Sequence, residues 1–149
     1  MSVYELAQIN IAYLKAPLDS PELRDFVDNL ARVNAMADAA DGFRWRLQTE
    51  EGDASGLRPM GPEVLINVSV WRDLDALMDY AFRSEHAEFI RRRREWFVRT
   101  DQAYAALWWV PQGHRPDASE AVAALMHLQT HGPSPRAFTF KDRYPPPSL

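Results

Sequence analysis

Cysteine is absent from the 149 residues, which removes disulfides, thiolate metal sites and cysteine nucleophiles from consideration. An excess of basic residues is also lacking. The formal net charge is -4, against the pattern of a general nucleic-acid binder, so no nucleic-acid partner is expected. No apolar run approaches membrane-spanning length. The opening "MSVYELAQIN" has no basic stretch followed by an apolar one, so neither a signal peptide nor a membrane partner is expected, and the default compartment is the cytoplasm. GxSxG, P-loop and GxGxxG motifs are missing too. His127 and His131 are helix-spaced, but no third ligand accompanies them and no metal site is expected.

What remains is a globular composition, 46% hydrophobic and 11% aromatic, of a size that suits one domain. "YELAQINIAYL" predicts a first strand from Tyr4 to about Ala12. Ser20 and Pro21 open a helix that runs to about Ala40, with Gly42 as its C-terminal cap. "GFRWRLQT" (42–49) alternates as a half-buried strand, a polar loop covers 50–63, and "EVLINVSVW" (63–71) is the clearest strand. Asp73 caps a short helix from Leu74 to about Phe82, continued or kinked near Ser84 into a second helical piece reaching Val98. "YAALWWVP" (104–111) is the fourth strand.

This order is β-α-β-β-α-β, an α+β, ferredoxin-like unit with an antiparallel sheet and its helices on one face. A core over 1–112 carries a tail over 113–149. Within the tail, Asp117 and Glu120 stand at capping-box spacing before an extra C-terminal helix stopped by Gly132 and Pro133. "RAFTF" (136–140) reads as a short edge strand and "YPPPSL" as an extended strap or a disordered end.

"HAEFIRRRREWF" (86–97) raises the question of a basic patch. Helix residues step about 100° apart, so four consecutive arginines point four ways. Phe82, Phe89, Ile90 and Phe97 define the apolar side, and His86 and Arg93, seven residues apart, fall within it. Arg91, Arg92 and Arg94 belong to a solvated face with Glu88 and Glu95 as partners. Arg93 either snorkels past the core or meets an anion in a cavity.

Asn34 likewise interrupts the apolar stripe of the first helix. In the third strand Val64, Ile66, Val68 and Val70 share one face, and Leu65, Asn67, Ser69 and Trp71 the other. The first strand sets Ala7, Ile9 and Ile11 against Leu6, Gln8 and Asn10. An amide-bearing face that lacks charge suits a lined pocket or a partner surface. If that face meets the helices, Gln8, Asn10, Asn34, Asn67, Ser69 and Trp71 converge with His86 and Arg93. If the aliphatic face does, the sheet separates them.

The runs "LAQINIAYLKAPLD", "GFRWRLQ", "NVSVW", "RRRREWF", "LWWVPQGHRP" and "GPSPRAFTF" together resemble the domain-of-unknown-function family 3291, over about residues 4 to 147. The resemblance implies the dimeric α/β-barrel superfamily, in which two ferredoxin-like sheets form a barrel across a homodimer interface. The family has no established activity. The wider superfamily includes cofactor-independent monooxygenases and haem-degrading monooxygenases. The latter carry an Asn on the first strand, a Trp on the third and a His on the next helix. Asn10, Trp71 and His86 hold similar places, though the His lies further from the Trp. Haem is the cofactor this analogy raises; none is required by the residues.

Two functions follow as expectations. One is a small-molecule-binding homodimer, monooxygenase-like if catalytic, acting on an aromatic or apolar ligand. There His86 is acid/base or haem ligand, Asn10 and Asn67 orient, Trp71 is a wall and Arg93 an anion partner. The other is a non-catalytic dimeric module in which the same groups complete core hydrogen bonds.

Overall fold

A computed structural model describes residues 3–50 and 52–148. Glu51 of the predicted loop, the first two residues and Leu149 of the predicted strap lie outside the described residues. Strand β1 spans Tyr4–Leu14 and lies at the centre of the sheet. It pairs antiparallel with β3 (Val64–Trp71) on one side. Its other side pairs with β5 (Ala105–Pro111) and, near its end, with the two-residue β4 (Phe97–Val98). Strand β2 (Phe43–Arg46) completes the sheet beyond β3. Antiparallel pairing of β5, β1, β3 and β2 in that order is the ferredoxin-like arrangement.

The register aligns Leu6 with Trp71, Gln8 with Ser69, Asn10 with Asn67 and Ala12 with Leu65. Because side chains alternate, the polar residues of both strands fall on one face and the aliphatic residues on the other. The polar face meets the helices: Leu6, Trp71 and Leu107 pack with Ala37 of α1 (Arg24–Asp38) and with Ala76 and Leu77 of α2 (Leu74–Arg83).

The extra helix α5 (Ala118–His131) lies across the opposite face. Its Ala121, Leu125 and Leu128 are buried against Ile9, Val68 and Val110, while Leu47, Leu57 and Met60 cover the rest. The aliphatic face is therefore filled within one chain.

Local chemistry explains most boundaries. Asp73 Oδ1 accepts from the Ala76 N–H at 2.9 Å and Asp117 Oδ1 from the Glu120 N–H at 2.8 Å, so both predicted caps form. Ser20 does not cap. Its hydroxyl donates to the Pro17 carbonyl, and a single 3-10 turn, Pro21–Leu23, precedes α1. Gly42 is not a helix cap either, since α1 ends at Asp38. It turns the chain into β2 at φ +83, and a Cβ there would lie 2.5 Å from Ala76 Cβ.

The predicted alternation of 42–49 is broken by a bulge between Phe43 and Trp45. Phe43 packs on the helix side and Trp45 and Leu47 on the aliphatic side. "RAFTF" makes two isolated bridges, Phe138 to Leu107 and Ala137 to Ser134, not a strand.

The second helical region also departs from expectation. It breaks into α3 (His86–Arg91) and α4 (Arg93–Trp96), and Phe97–Val98 joins the sheet. Ser84 is extended; its hydroxyl takes the Tyr80 carbonyl as acceptor and accepts from the His86 N–H, which restarts the helix. The second break falls at Arg92, which reaches Glu95 at 2.8 Å and Asp25 at 3.0 Å. Phe82 and Ile90, assigned to the apolar side of an unbroken wheel, are 47% and 39% exposed.

Candidate functional site

Between the polar sheet face and the helices lies a cleft of about 620 Å³. Its floor is a connected hydrogen-bond network. Gln8 Nε2 donates to Asn67 Oδ1 (2.7 Å) and Ser69 Oγ (2.8 Å). Asn10 Nδ2 donates to Gln8 Oε1 (3.1 Å) and Asn67 Oδ1 (3.2 Å), and Trp71 Nε1 donates to Ser69 Oγ (2.8 Å). Gln8 and Ser69 are buried, whereas Asn67 is exposed at the open side. Among the described residues Asn67 Nδ2 and Asn10 Oδ1 make no hydrogen bond within the protein. The floor thus keeps a donor and an acceptor free.

An aromatic ladder forms one wall. Phe43 meets Trp71 edge-on at 5.4 Å, Trp71 stacks on Tyr80 at 5.1 Å, and Tyr80 lies 4.8 Å from the His86 ring. Tyr80 is anchored from α2 to α1 by its hydroxyl, which donates to the Val33 carbonyl at 3.0 Å. Burial holds the Tyr80 hydroxyl far above the usual phenol range, so it stays a donor.

Burial also lowers the pKa of His86, although a contact of 3.4 Å from Nδ1 to the Ala81 carbonyl acts the other way. With Nδ1–H turned to that carbonyl, Nε2 of the neutral ring keeps its lone pair. Asn34, on α1, also lines the cleft, and among the described residues its amide has no hydrogen-bond partner.

Arg93 borders the end near Tyr104. Its Nη2 donates to the Ile11 carbonyl at 3.2 Å, and its Cζ lies 4.0 Å from the Tyr104 ring centroid and 5.7 Å from that of Phe97. Burial lowers its pKa, and Tyr104 opposes that. The peripheral arginines differ: Arg91 pairs with Glu88 at 3.3 Å and Arg92 with Glu95 and Asp25.

The structure therefore brings together Asn10, Asn34, Asn67 and Ser69 with Trp71, His86 and Arg93 around one cleft. Tyr80, Tyr104 and Phe43 are further lining residues that the sequence did not single out. Tyr80 sits four residues after Ala76 on the inward side of α2, a position that reads as ordinary core. For haem, His86 is the one imidazole in the lining, and an Nδ1–H turned to a backbone carbonyl suits a ligating histidine. His127 and His131 lie outside the cleft on α5, with rings 4.5 Å apart, and among the described residues no group of three or more metal-binding side chains occurs. No helix among the described residues is long and apolar enough to cross a membrane.

No curated protein matches the chain. Among solved structures, the protein PA3566 from Pseudomonas aeruginosa is 17% identical, with a TM-score of 0.49 over 76% of this chain and 98% of its own. SnoaB, a cofactor-independent oxygenase from Streptomyces nogalater, is 16% identical, with a TM-score of 0.45 over 76% and 96%. A dabb family protein with a ferredoxin-like fold from Mesorhizobium loti is 14% identical, with a TM-score of 0.44 over 76% and 99%. At these scores nothing about this chain's chemistry follows from the likeness. The family model described as "Domain of unknown function (DUF3291)" matches residues 5–149, and the chain belongs to that family.

Proposed function

We propose that this protein binds a small aromatic or apolar molecule between its sheet and helices. The observation that carries this function is the cleft of about 620 Å³ reaching both His86 and Arg93. A module whose polar groups only complete a core would leave no such space. The free amide atoms of Asn10, Asn34 and Asn67 orient polar substituents, and the Trp71–Tyr80 ladder flanks the ring system.

The finer step is oxygenase-like. His86 Nε2 takes a proton from a ring CH2 of the bound molecule, dioxygen adds to the carbanion, and loss of water leaves a new carbonyl, so the substrate carbon supplies the four electrons that dioxygen accepts. Haem, when bound, would bring oxygen-activating iron, held by His86; no step above depends on it.

Saturable quenching of 2-naphthol fluorescence is the expected binding result, weakened in Asn34→Ala, Asn67→Ala and His86→Ala. Unchanged affinity in all three folded variants refutes the site. With an anthrone as probe, oxygen uptake at an electrode is expected and should be lost in His86→Ala. An absorbance scan of freshly purified protein tests for haem directly.

A homodimer belongs to the same proposal. Its interface lies outside the aliphatic sheet face, which α5 already buries, and exposed Val27, Phe82, Ile90 and Val98 supply apolar surface. Light scattering should give twice the chain mass; the mass of one chain refutes the dimer.

A further inference from the structure

Among the described residues Arg93 is a cation without a counterion, in a cleft whose other charges are balanced. Arg46 lines the cleft as well, but its guanidinium is held by Asp38 at 2.8 Å. Asp101 and Lys141 border the rim, exposed and of opposite sign. Among the described residues no other Asp, Glu, Lys or Arg lines the space, and no carboxylate lies within 4.0 Å of Arg93. The lining and its partners thus leave one positive charge.

A half-buried charge without an opposite partner is unfavourable, and one backbone carbonyl with an aromatic face offsets that only in part. Of five N–H donors, one bonds the Ile11 carbonyl. That bond, with the Tyr104 ring against the guanidinium plane, holds the fork at the cleft wall. A planar fork held in this way matches a carboxylate in two-pronged contact. Aromatic rings, Phe43, Trp71 and Tyr80 among them, form one further wall and suit a flat body.

The geometry points to an aromatic carboxylate as the ligand class of the cleft, with Arg93 as the group that selects the acid. This rests on the cleft being a ligand site.

The test compares 2-naphthoate with 2-naphthamide, which share a ring system and differ in charge, by calorimetric titration at neutral pH. The acid should bind about tenfold tighter or more. Arg93→Met should abolish the preference, the acid losing far more affinity than the amide. Arg93→Lys, which keeps charge and loses the fork, should retain part of it. If Arg93→Met does not fold, Arg93→Gln, which removes the charge and keeps polar donors, takes its place. Equal binding of acid and amide by the unaltered protein, or a preference that survives loss of the charge, overturns the acid selectivity and leaves the cleft a ligand site. If neither compound binds saturably, the cleft assignment fails and this inference fails with it.

Discussion

Ser69→Ala tests the hub of the cleft floor. Ser69 Oγ accepts from both Gln8 Nε2 and Trp71 Nε1, each at 2.8 Å, and the residue is 6% exposed. The two donors are not equally dependent on it. Gln8 Nε2 keeps its bond to Asn67 Oδ1 at 2.7 Å, whereas Ser69 is the one acceptor of the Trp71 indole, whose residue is 1% exposed. The Trp71 indole N–H is therefore left without an acceptor, at a cost of about 1–3 kcal/mol, and one of the two Gln8 N–H groups loses its acceptor as well. For a chain of this length a cost of about 2 kcal/mol lowers Tm by about 4–8 °C. Urea denaturation should show a lower midpoint at unchanged slope. Trp71→Phe removes the donor, so Ser69→Ala should cost about 1 kcal/mol less in that background. If Ser69→Ala costs only a few tenths of a kcal/mol, equally in both backgrounds, cleft water replaces the hydroxyl and the floor is not a structural network.

Three other perturbations follow from the same structure. Gly42→Ala meets both a left-handed backbone at φ +83 and Ala76 Cβ at 2.5 Å, so a loss of about 3 kcal/mol is expected in chemical denaturation. Leu125→Ala opens a cavity under the fully buried centre of α5 and should cost about 3 kcal/mol; a loss below about 1 kcal/mol would show that α5 does not hold the aliphatic face. His86 has a depressed pKa in the fold, so the unfolded chain binds its proton first. Stability should then fall as pH drops below the ordinary imidazole value of 6.5, until the folded value is reached. His86→Gln should flatten that slope in thermal melts, with His127, also depressed, contributing the same background to both proteins.

The alternation of β1 and β3 was legible because a period of two in a strand is enforced by backbone geometry alone. It separated Gln8, Asn10, Asn67 and Ser69 from their aliphatic neighbours before any contact was known. Which face would meet the helices was not legible. That depends on where α5 goes, and a tail helix with apolar residues carries no local mark of the surface it covers.

Breaks in regular structure were hidden for similar reasons. Arg92 is stabilised at the helix break by Asp25, 67 residues away, and Phe97 leaves the helix because β1 offers it a ladder partner in Leu14. The bulge after Phe43 has no distinguishing composition; it shows only against the fixed register of β3. His86 and Arg93 were placed on one side by a wheel that does not persist. They still meet the same cleft because each begins a new helical piece on that side of the sheet.

The two faces of the sheet also constrain each other. Sliding β1 by one residue against β3 would turn Ile9 and Ile11 into the cleft and Gln8 and Asn10 beneath α5. That slip would set amides among Leu125 and Leu128, where no partner awaits them, and would break every cross-strand bond of the floor network at once. The dry face therefore does more than bury apolar area. By penalising any other register it holds Gln8, Ser69 and Asn67 opposite their partners, and so gives a binding floor built from short, neutral side chains a fixed geometry. Arg93 depends on the same register, because the Ile11 carbonyl that holds its guanidinium belongs to β1.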